Sequence, residues 1–351
     1  MKVLVFTLFS LTMVYSNFVL SQPNYVIYSN YINKAELCIT DKKFSQALTY
    51  YDSALLIKKI PFARDAYNAA VCAAIVKNNN TCYSYLKMLL DKGGSLKHIQ
   101  SVDVLNQFLQ TKKGKQLIDY SKNNDVHYNK RLRYIIDSIE AADQFFREKE
   151  GKYVMYMDTI KKIDASNAFF LVKFIEEHGF PSEDLIGVKD DTLNLQLPYY
   201  AIIMHQQNGS PSSVMNFSEI LIKALRNGDI EPHIATELID RSNGTDVYGT
   251  EAYGLTKFVL DSATSVKTQY SNPVQVYDSV KWGYVNINST YLSKIDKNRD
   301  AIGLGKVEEG RKKGIYEQLR DNRFRLTTYS VYVFSEKKEF EEYSKQLIFV
   351  K

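Results

Sequence analysis

The stretch YINKAELCITDKKFSQALTYYDSAL, residues 31–55, decides the fold of this chain. Small and bulky side chains recur at helical spacing on both sides of a polar turn, Asp41-Lys42-Lys43. Small residues such as Ala35 and Ala47 let two helices cross closely, and aromatic residues such as Tyr51 fill the gaps between them. The stretch therefore predicts a helical hairpin.

The same pattern returns 34 residues further along the chain. The shift superposes Ala35 on Ala69, Cys38 on Cys72, Tyr51 on Tyr85 and Leu55 on Leu89. A fixed period of this length is the signature of a helical repeat. Residues 24–92 resemble the tetratricopeptide repeat family, although Lys34 stands where that family usually has leucine. The resemblance implies a scaffold rather than chemistry, and a surface through which a protein partner could bind.

Two repeats are fewer than the three or so that a solenoid needs to cover its core. Residues 95–122 carry apolar residues at irregular helical spacing, and we expect them to form a third helical pair that closes the open end. Asn123 to Asn129 is interpreted as a polar linker. Cys38 and Cys72 occupy equivalent inward positions and are predicted to be buried and free.

The first 21 residues have the pattern of a secretory signal. Lys2 is followed by an apolar run from Val3 to Tyr15, and Val19-Leu20-Ser21 precedes Gln22 like a cleavage site. The alternative is an uncleaved anchor, but the apolar run is shorter than the ~20 residues that span a membrane. We expect cleavage after Ser21 and an exported chain, periplasmic or secreted, with no membrane span in its mature part.

The composition excludes several classes of protein. With 45% hydrophobic and 24% charged residues among 351, the chain is globular rather than disordered, and its length predicts two domains. A net charge of +5 is too small and too dispersed for a nucleic-acid-binding arm. Three cysteines cannot form a disulfide framework.

A second run of helices follows the linker. The spacing predicts a helix from Lys130 to Gln144, another over 165–178 with Asp164 as its N-cap, and stops at Gly179 and Pro181. Three further helices are expected: from Pro198 to just after His205, from a cap at Ser212 or Ser213 to Asn227-Gly228, and from Glu231-Pro232 to Asp240-Arg241.

The polar residues of this region, taken in order, resemble a family of uncharacterised bacterial proteins, a domain of unknown function. The family motifs read roughly D-Q-x-x-R, D-x-x-N, H-G-W-P, Q-H, D-R, Y-G-T-Q and R-x-x-x-G-L, and the match spans about residues 137–316. This chain has Phe180 for the tryptophan, Met204 before the histidine and Glu251 for the last glutamine. The resemblance implies a mostly helical fold and carries no known activity.

These motifs define a candidate polar site. Its members are Asp143, Gln144, Arg147, Asp164, Asn167, His205, Asp240, Arg241, Tyr248, Thr250 and Glu251. One hypothesis is a hydrolase or lyase in which His205 is the general base, a carboxylate orients it, and Arg241 holds an anionic substrate. Asp240 and either Glu251 or Asp143 are the candidate carboxylates. The alternatives are a structural hydrogen-bond network or a binding pocket without chemistry.

Neither a metal nor a cofactor is expected. The five histidines show no H-x-x-x-H or H-E-x-x-H spacing, and Gly303-Leu304-Gly305 lacks the continuation of a nucleotide-binding loop. We therefore favour a binding or interaction protein over the enzyme.

The C-terminal part changes in character. Residues 274–287 and 324–334 carry β-branched and aromatic residues with partial alternation, and 337–346 has the pattern of an amphipathic helix. The sequence as a whole predicts a mainly α protein with a minor β element near its C-terminal end. Its expected parts are a signal peptide (1–21), a repeat region (22–125), a helical domain (130–316) and a strand and helix tail (317–351).

Overall fold

The computed structural model describes residues 23–123, 126–188, 197–249, 255–260, 279–326, 330–345 and 347–350. Within these ranges the protein is mainly helical, with sixteen helices and a small four-stranded sheet, as the sequence predicts. The predicted signal segment lies outside the described residues. No helix in the described ranges is long and apolar enough to cross a membrane.

The first four helices form two consecutive hairpins. They are α1 (Asn24–Thr40), α2 (Phe44–Ile57), α3 (Ala63–Ile75) and α4 (Asn79–Asp91). Lys42 and Lys77 close the two hairpins in the left-handed region, at φ 58° and 59°. The amide of the next residue, Lys43 or Asn78, donates to the carbonyl five positions back in the preceding helix. Cys38 and Cys72 are buried and free, as expected.

The segment after the hairpins differs from the expected helical pair. It contains three short helices, α5 (Leu96–Ser101), α6 (Asp103–Leu109) and α7 (Lys112–Asn123). Val102 has an extended backbone at φ −102° and ψ 113°, and this residue separates α5 from α6. The apolar side chains Ile99, Leu105 and Leu117 still face inward and are buried. The segment therefore contributes to the core as three pieces.

Six helices follow: α8 (Lys130–Glu148), α9 (Lys152–His178), α10 (Glu183–Ile186), α11 (Tyr199–Met204), α12 (Ser218–Asn227) and α13 (Pro232–Asn243). The stops at Gly179, Gly228 and Gly244 come where glycine adopts a positive φ. The predicted cap at Ser212 or Ser213 is wrong, because α12 begins at Ser218. The Gln206 carbonyl accepts from Ser213 Oγ, and Gln206 Oε1 accepts from the Val214 amide. These hydrogen bonds hold the stretch as a loop.

The remaining elements are β1 (Thr256–Leu260), β2 (Ser279–Val285), α14 (Ser289–Asp300), α15 (Val307–Leu319), β3 (Ser330–Phe334), α16 (Lys337–Ser344) and β4 (Leu347–Phe349). The strand order is β3-β1-β2-β4, with β1 parallel to β3 and the other pairs antiparallel. Strands β2 and β3 fall within the predicted stretches, whereas β1 and β4 were not predicted. Residues 261–278, which include the start of the predicted β stretch 274–287, lie outside the described residues.

The sheet has a small core of its own, built on Phe258, Leu260, Phe334 and Phe340. A separate, much larger core runs continuously from Tyr28 in α1 to Leu326. Phe324 and Leu326, which follow α15, belong to this large core instead of the sheet. The buried Phe324 stacks on Phe44 of α2, with ring centroids 5.9 Å apart and planes 10° apart.

Residues 323–326 also form hydrogen bonds with the repeat helix α3. The side-chain amide of Asn68 donates to the Arg325 carbonyl at 2.6 Å, and its oxygen accepts from the Arg325 amide at 2.8 Å. Tyr67 Oη donates to the Arg323 carbonyl at 2.6 Å. One face of the repeats is therefore occupied by the chain itself.

Candidate functional site

Three of the predicted polar residues meet where α8, α9 and α11 pack together. His205 follows the last turn of α11, and its Nδ1 lies 3.0 Å from Asp143 Oδ1 of α8. The same nitrogen is 3.9 Å from Asp164 Oδ1 of α9. The side chains of Asp143 and Asp164 are 0% and 1% exposed, whereas that of His205 is 23% exposed. The imidazole is therefore the accessible end of a buried cluster.

Arg147 connects the two carboxylates from within. Its Nη2 donates to Asp164 Oδ1 at 2.6 Å, and its Nη1 lies 3.3 Å from Asp143 Oδ1. Asp143 and Arg147 stand four apart on α8, a spacing typical of a solvated pair, but here both side chains are buried. A buried ion pair needs its remaining polar atoms satisfied. Gln144 meets part of that need by donating to Asp143 Oδ2 at 2.6 Å.

Asp164 is not the N-cap that its sequence context suggests. It lies in the middle of α9, which spans 27 residues with a kink at Tyr156, eight residues before Asp164. The reason is local, because no glycine or proline interrupts residues 152–178 and apolar residues continue upstream of Asp164. Its carbonyl accepts from Gln206 Nε2 at 3.3 Å, which ties α9 to the chain after α11.

Asp240 and Arg241 make different contacts. The Asp240 carboxylate accepts from Thr245 Oγ1 and from the amides of Val247 and Tyr248, each at 2.9 Å. Burial raises the pKa of Asp240 against the opposing effect of these hydrogen bonds. Asp240 therefore closes the loop after α13, and the carboxylate that touches His205 is Asp143.

Arg241 pairs within its own helix. Its Nε lies 3.3 Å from Glu237 Oε1, and its Nη1 reaches Gln207 Oε1 at 3.4 Å. Glu237 also accepts from Tyr200 Oη at 2.7 Å. Arg241 thus binds the segment that follows His205 without meeting the imidazole in any of these contacts.

The other predicted site residues have structural contacts or lie outside the described chain. Asn167 donates to the Ile139 carbonyl at 3.2 Å and so joins α9 to α8. The Tyr248 carbonyl accepts from Arg299 Nη1 at 2.8 Å. Thr250 and Glu251 are outside the described residues.

One atom each from Asp143, Asp164 and His205 lies within 4.8 Å of the others, a grouping that could hold a metal ion. The three residues come from different helices, so no spacing in the sequence indicates it. The guanidinium of Arg147 already supplies a positive charge to both carboxylates. This favours a metal-independent network.

A second buried cluster of charges, which the sequence analysis missed, joins α1 and α3 to α13 and α15. Arg64 faces three carboxylates: its Nε is 2.9 Å from Glu231 Oε2, and its Nη2 is 3.3 Å from Glu36 Oε1 and 3.5 Å from Asp65 Oδ1. Lys313 donates to the other oxygen of Glu36 at 2.6 Å. The only hint of this cluster in the sequence is that the charged Glu36 stands between residues of the core.

Burial and the crowding of like charges shift the pKa values in this cluster. Burial, with Glu36 and Glu183 nearby, raises the pKa of Asp65 to about 6, although Arg64 opposes the shift. The same causes raise the pKa of Glu231 to about 8. Burial also lowers the pKa of His233 well below its usual value, so that its imidazole is neutral. A buried cluster of groups with perturbed pKa values is a candidate for function.

No family model, curated protein or solved structure matches this chain. The two resemblances stated from the sequence therefore remain predictions.

Proposed function

We propose that the protein acts by binding a small polar ligand, and that His205 is the group that meets it. The observation that supports this is how the imidazole is held. Its Nδ1 faces the buried carboxylate of Asp143 at 3.0 Å, and among the described residues Nε2 has no hydrogen-bond partner. A fixed, partly exposed donor or acceptor on a buried support is what a binding site requires.

The tautomer follows from this contact. An ionised Asp143 accepts a hydrogen bond from Nδ1–H, which leaves the Nε2 lone pair directed away from the carboxylate. In that state His205 accepts a hydrogen bond from a hydroxyl, an amine or water; when protonated, it donates to an anion. Arg241 contacts Gln207, two residues after His205, and its positive charge suits an anionic ligand.

A small ligand is favoured over a protein partner on the repeat face. Helix α15 packs on α1, and residues 323–326 occupy part of α3. In these described contacts, the repeat helices bind later parts of the same chain, which leaves less of their surface for a protein partner.

The second candidate function is a hydrolase or lyase, and the Asp143–His205 contact is the observation that favours it. A histidine oriented by a buried carboxylate can take a proton from water or substrate through Nε2. Asp143 then has the orienting role for which Asp240 was a candidate.

The test is the reactivity of His205. Diethyl pyrocarbonate acylates an unprotonated imidazole nitrogen, and peptide mapping by mass spectrometry locates the product. We expect His205 to react in the wild type and several-fold more slowly in Asp143→Asn, because an amide can donate to Nδ1 and so favour the tautomer with Nε2 protonated. His178, which is exposed at the end of α9, is the internal control. Equal rates for His205 in the two proteins would contradict the proposed orientation.

Hydrolysis of p-nitrophenyl acetate separates the two candidates. If His205 acts as a base, His205→Gln should lower the second-order rate constant at least tenfold, and His178→Gln should leave it unchanged. Equal rates in all three proteins would remove the enzyme hypothesis and leave binding.

Export also belongs to the proposal, on the strength of the residues before Gln22. The mass of the exported protein should correspond to a chain that begins at Gln22. A product that retains Lys2 would contradict it.

A further inference from the structure

Two adjoining cavities lie between the repeat helices and the helices that follow α11. The smaller has a volume of about 70 Å³ and the larger about 290 Å³. Both are lined by Tyr28, Ser29, Phe62 and Pro232, which mark where they meet. They are separate from the His205 site, whose residues line neither cavity.

The smaller cavity is surrounded by buried charges that are incompletely bonded. Among the described residues, Glu36 Oε1, Asp65 Oδ1 and Glu231 Oε2 accept no hydrogen bond. Each is paired with the Arg64 guanidinium at 2.9–3.5 Å, but Arg64 Nε itself makes no hydrogen bond to any described residue, so these contacts are ion pairs without hydrogen-bond geometry. Three carboxylates share one guanidinium. Lys313 donates to the other oxygen of Glu36, and Tyr28 Oη donates to the other oxygen of Asp65 at 2.6 Å. A buried carboxylate oxygen without a donor is costly, so these atoms favour a ligand that brings N–H donors.

Arg299 and His233 also line the smaller cavity. Arg299 directs its hydrogen bonds to the carbonyls of Tyr248 and Gly305, at 2.8 and 2.6 Å. His233 is neutral, and its Nδ1 lies 3.5 Å from Glu231 Oε2. Neither provides the three carboxylates with the missing donors.

The larger cavity has a different chemistry. Its walls include Ile57, Phe62, Leu225 and Ile230, and its rim includes the exposed Arg226. Lys58 also lines it, with its ammonium 4.9 Å from the centre of the Phe62 ring. The wall suits an apolar body, and the rim suits an anionic group.

We propose that this double cavity binds a small molecule with an α-ammonium group, an apolar side chain and a carboxylate, namely an apolar amino acid or a short peptide beginning with one. The ammonium lies against Glu36, Asp65 and Glu231, and it displaces the proton that Glu231 holds near neutral pH in the ligand-free chain. The apolar side chain packs on Phe62, and the carboxylate points towards Arg226. A primary ammonium has three N–H donors, which equals the number of unpartnered carboxylate oxygens.

Isothermal titration calorimetry on the purified chain tests the proposal, with L-leucine and L-leucylglycine as probes. At least one of them should bind with a stoichiometry of one, and the tighter of the two tells whether the site takes the free amino acid or the peptide. N-acetyl-L-leucine, which lacks the ammonium, should bind at least tenfold more weakly than L-leucine or not at all. L-leucinamide, which lacks the carboxylate, should lose affinity and should no longer respond to Arg226→Gln.

The matched variants are Glu231→Gln inside the cavity and Glu341→Gln on the exposed face of α16. Glu231→Gln should weaken binding at least tenfold, and Glu341→Gln should leave it unchanged. The analogue series uses the unaltered protein, so it remains decisive even if Glu231→Gln folds poorly. No heat and no thermal shift with either probe at 10 mM would overturn the proposal, as would equal affinity for L-leucine and its N-acetyl derivative.

Discussion

The buried carboxyl of Glu231 makes the stability of the protein depend on pH in a calculable way. Burial raises its pKa in the folded chain to about 8, against an ordinary value of 4.5. The folded state therefore holds a proton that the unfolded state has lost, and raising the pH favours unfolding. Stability should fall as pH rises from the ordinary pKa of Glu231 to its folded value.

The interval between pH 6.5 and 8 isolates this effect. Asp65 has a folded pKa of about 6, so the fall in unfolding free energy that it causes is complete at lower pH. His233 has the opposite sign: its pKa lies well below 6.5 when folded, so it destabilises the fold only as pH drops below that value. One proton over about 1.5 pH units, at about 1.36 kcal/mol per unit, gives about 2 kcal/mol.

Urea unfolding followed by circular dichroism, at half-unit steps from pH 6.5 to 8, measures the change. The unfolding free energy of the wild type should fall by about 2 kcal/mol relative to that of Glu231→Gln, which cannot ionise. Taking the difference cancels the contributions that the two proteins share. Glu341→Gln should behave like the wild type. Parallel curves for the wild type and Glu231→Gln would refute the reasoning, because Glu231 would then be ionised throughout.

Three substitutions test the packing. Phe324→Ala removes a fully buried ring that stacks on α2, so it should lower the unfolding free energy by about 3–5 kcal/mol in a urea titration; a loss under 1 kcal/mol would mean that this segment is not docked. Arg147→Ala leaves two buried carboxylates without their cation and should cost about 3–5 kcal/mol, against under about 0.5 for the exposed Arg131→Ala. Replacing Lys42 and Lys77 by glycine should raise the melting temperature, since each side chain now occupies a left-handed position that costs an L-residue about 1–2 kcal/mol; a lower melting temperature would show that their side chains outweigh the strain.

The sequence predicts those parts of the fold that depend on neighbouring residues. The hairpins α1–α2 and α3–α4 follow from small and bulky residues within one period, and the ends of α9, α12 and α13 follow from glycines that can adopt a positive φ. The failures have equally local causes. Asp164 looks like a cap because aspartate favours that position, but the helix already continues from the kink at Tyr156 through Asp164. Strand β4 is only three residues long and is formed by pairing with β2.

The partners of polar side chains are much harder to predict. His205 and Asp143 are 62 positions apart, and Glu36 and Lys313 are 277 apart. Their meeting depends on how helices pack, and no short motif encodes it. The motif resemblance did include Asp143, Arg147, Asp164 and His205, and the structure brings these four together. It separates them from Asp240, whose carboxylate is used by the loop that follows it.

The two charged clusters differ in the property that decides what each can do. Around Asp143 the carboxylates are matched by donors from Gln144, Arg147 and His205, so the cluster holds one imidazole in place. Around Arg64 three carboxylate oxygens accept no hydrogen bond from any described residue, beside a cavity. Evolutionary or chemical replacement of a matched buried network by apolar residues can be neutral, whereas an unmatched one destabilises the fold unless something completes it. A ligand that supplies the missing donors would therefore stabilise the folded chain as it binds, which links the proposed cavity to stability through the same three carboxylates.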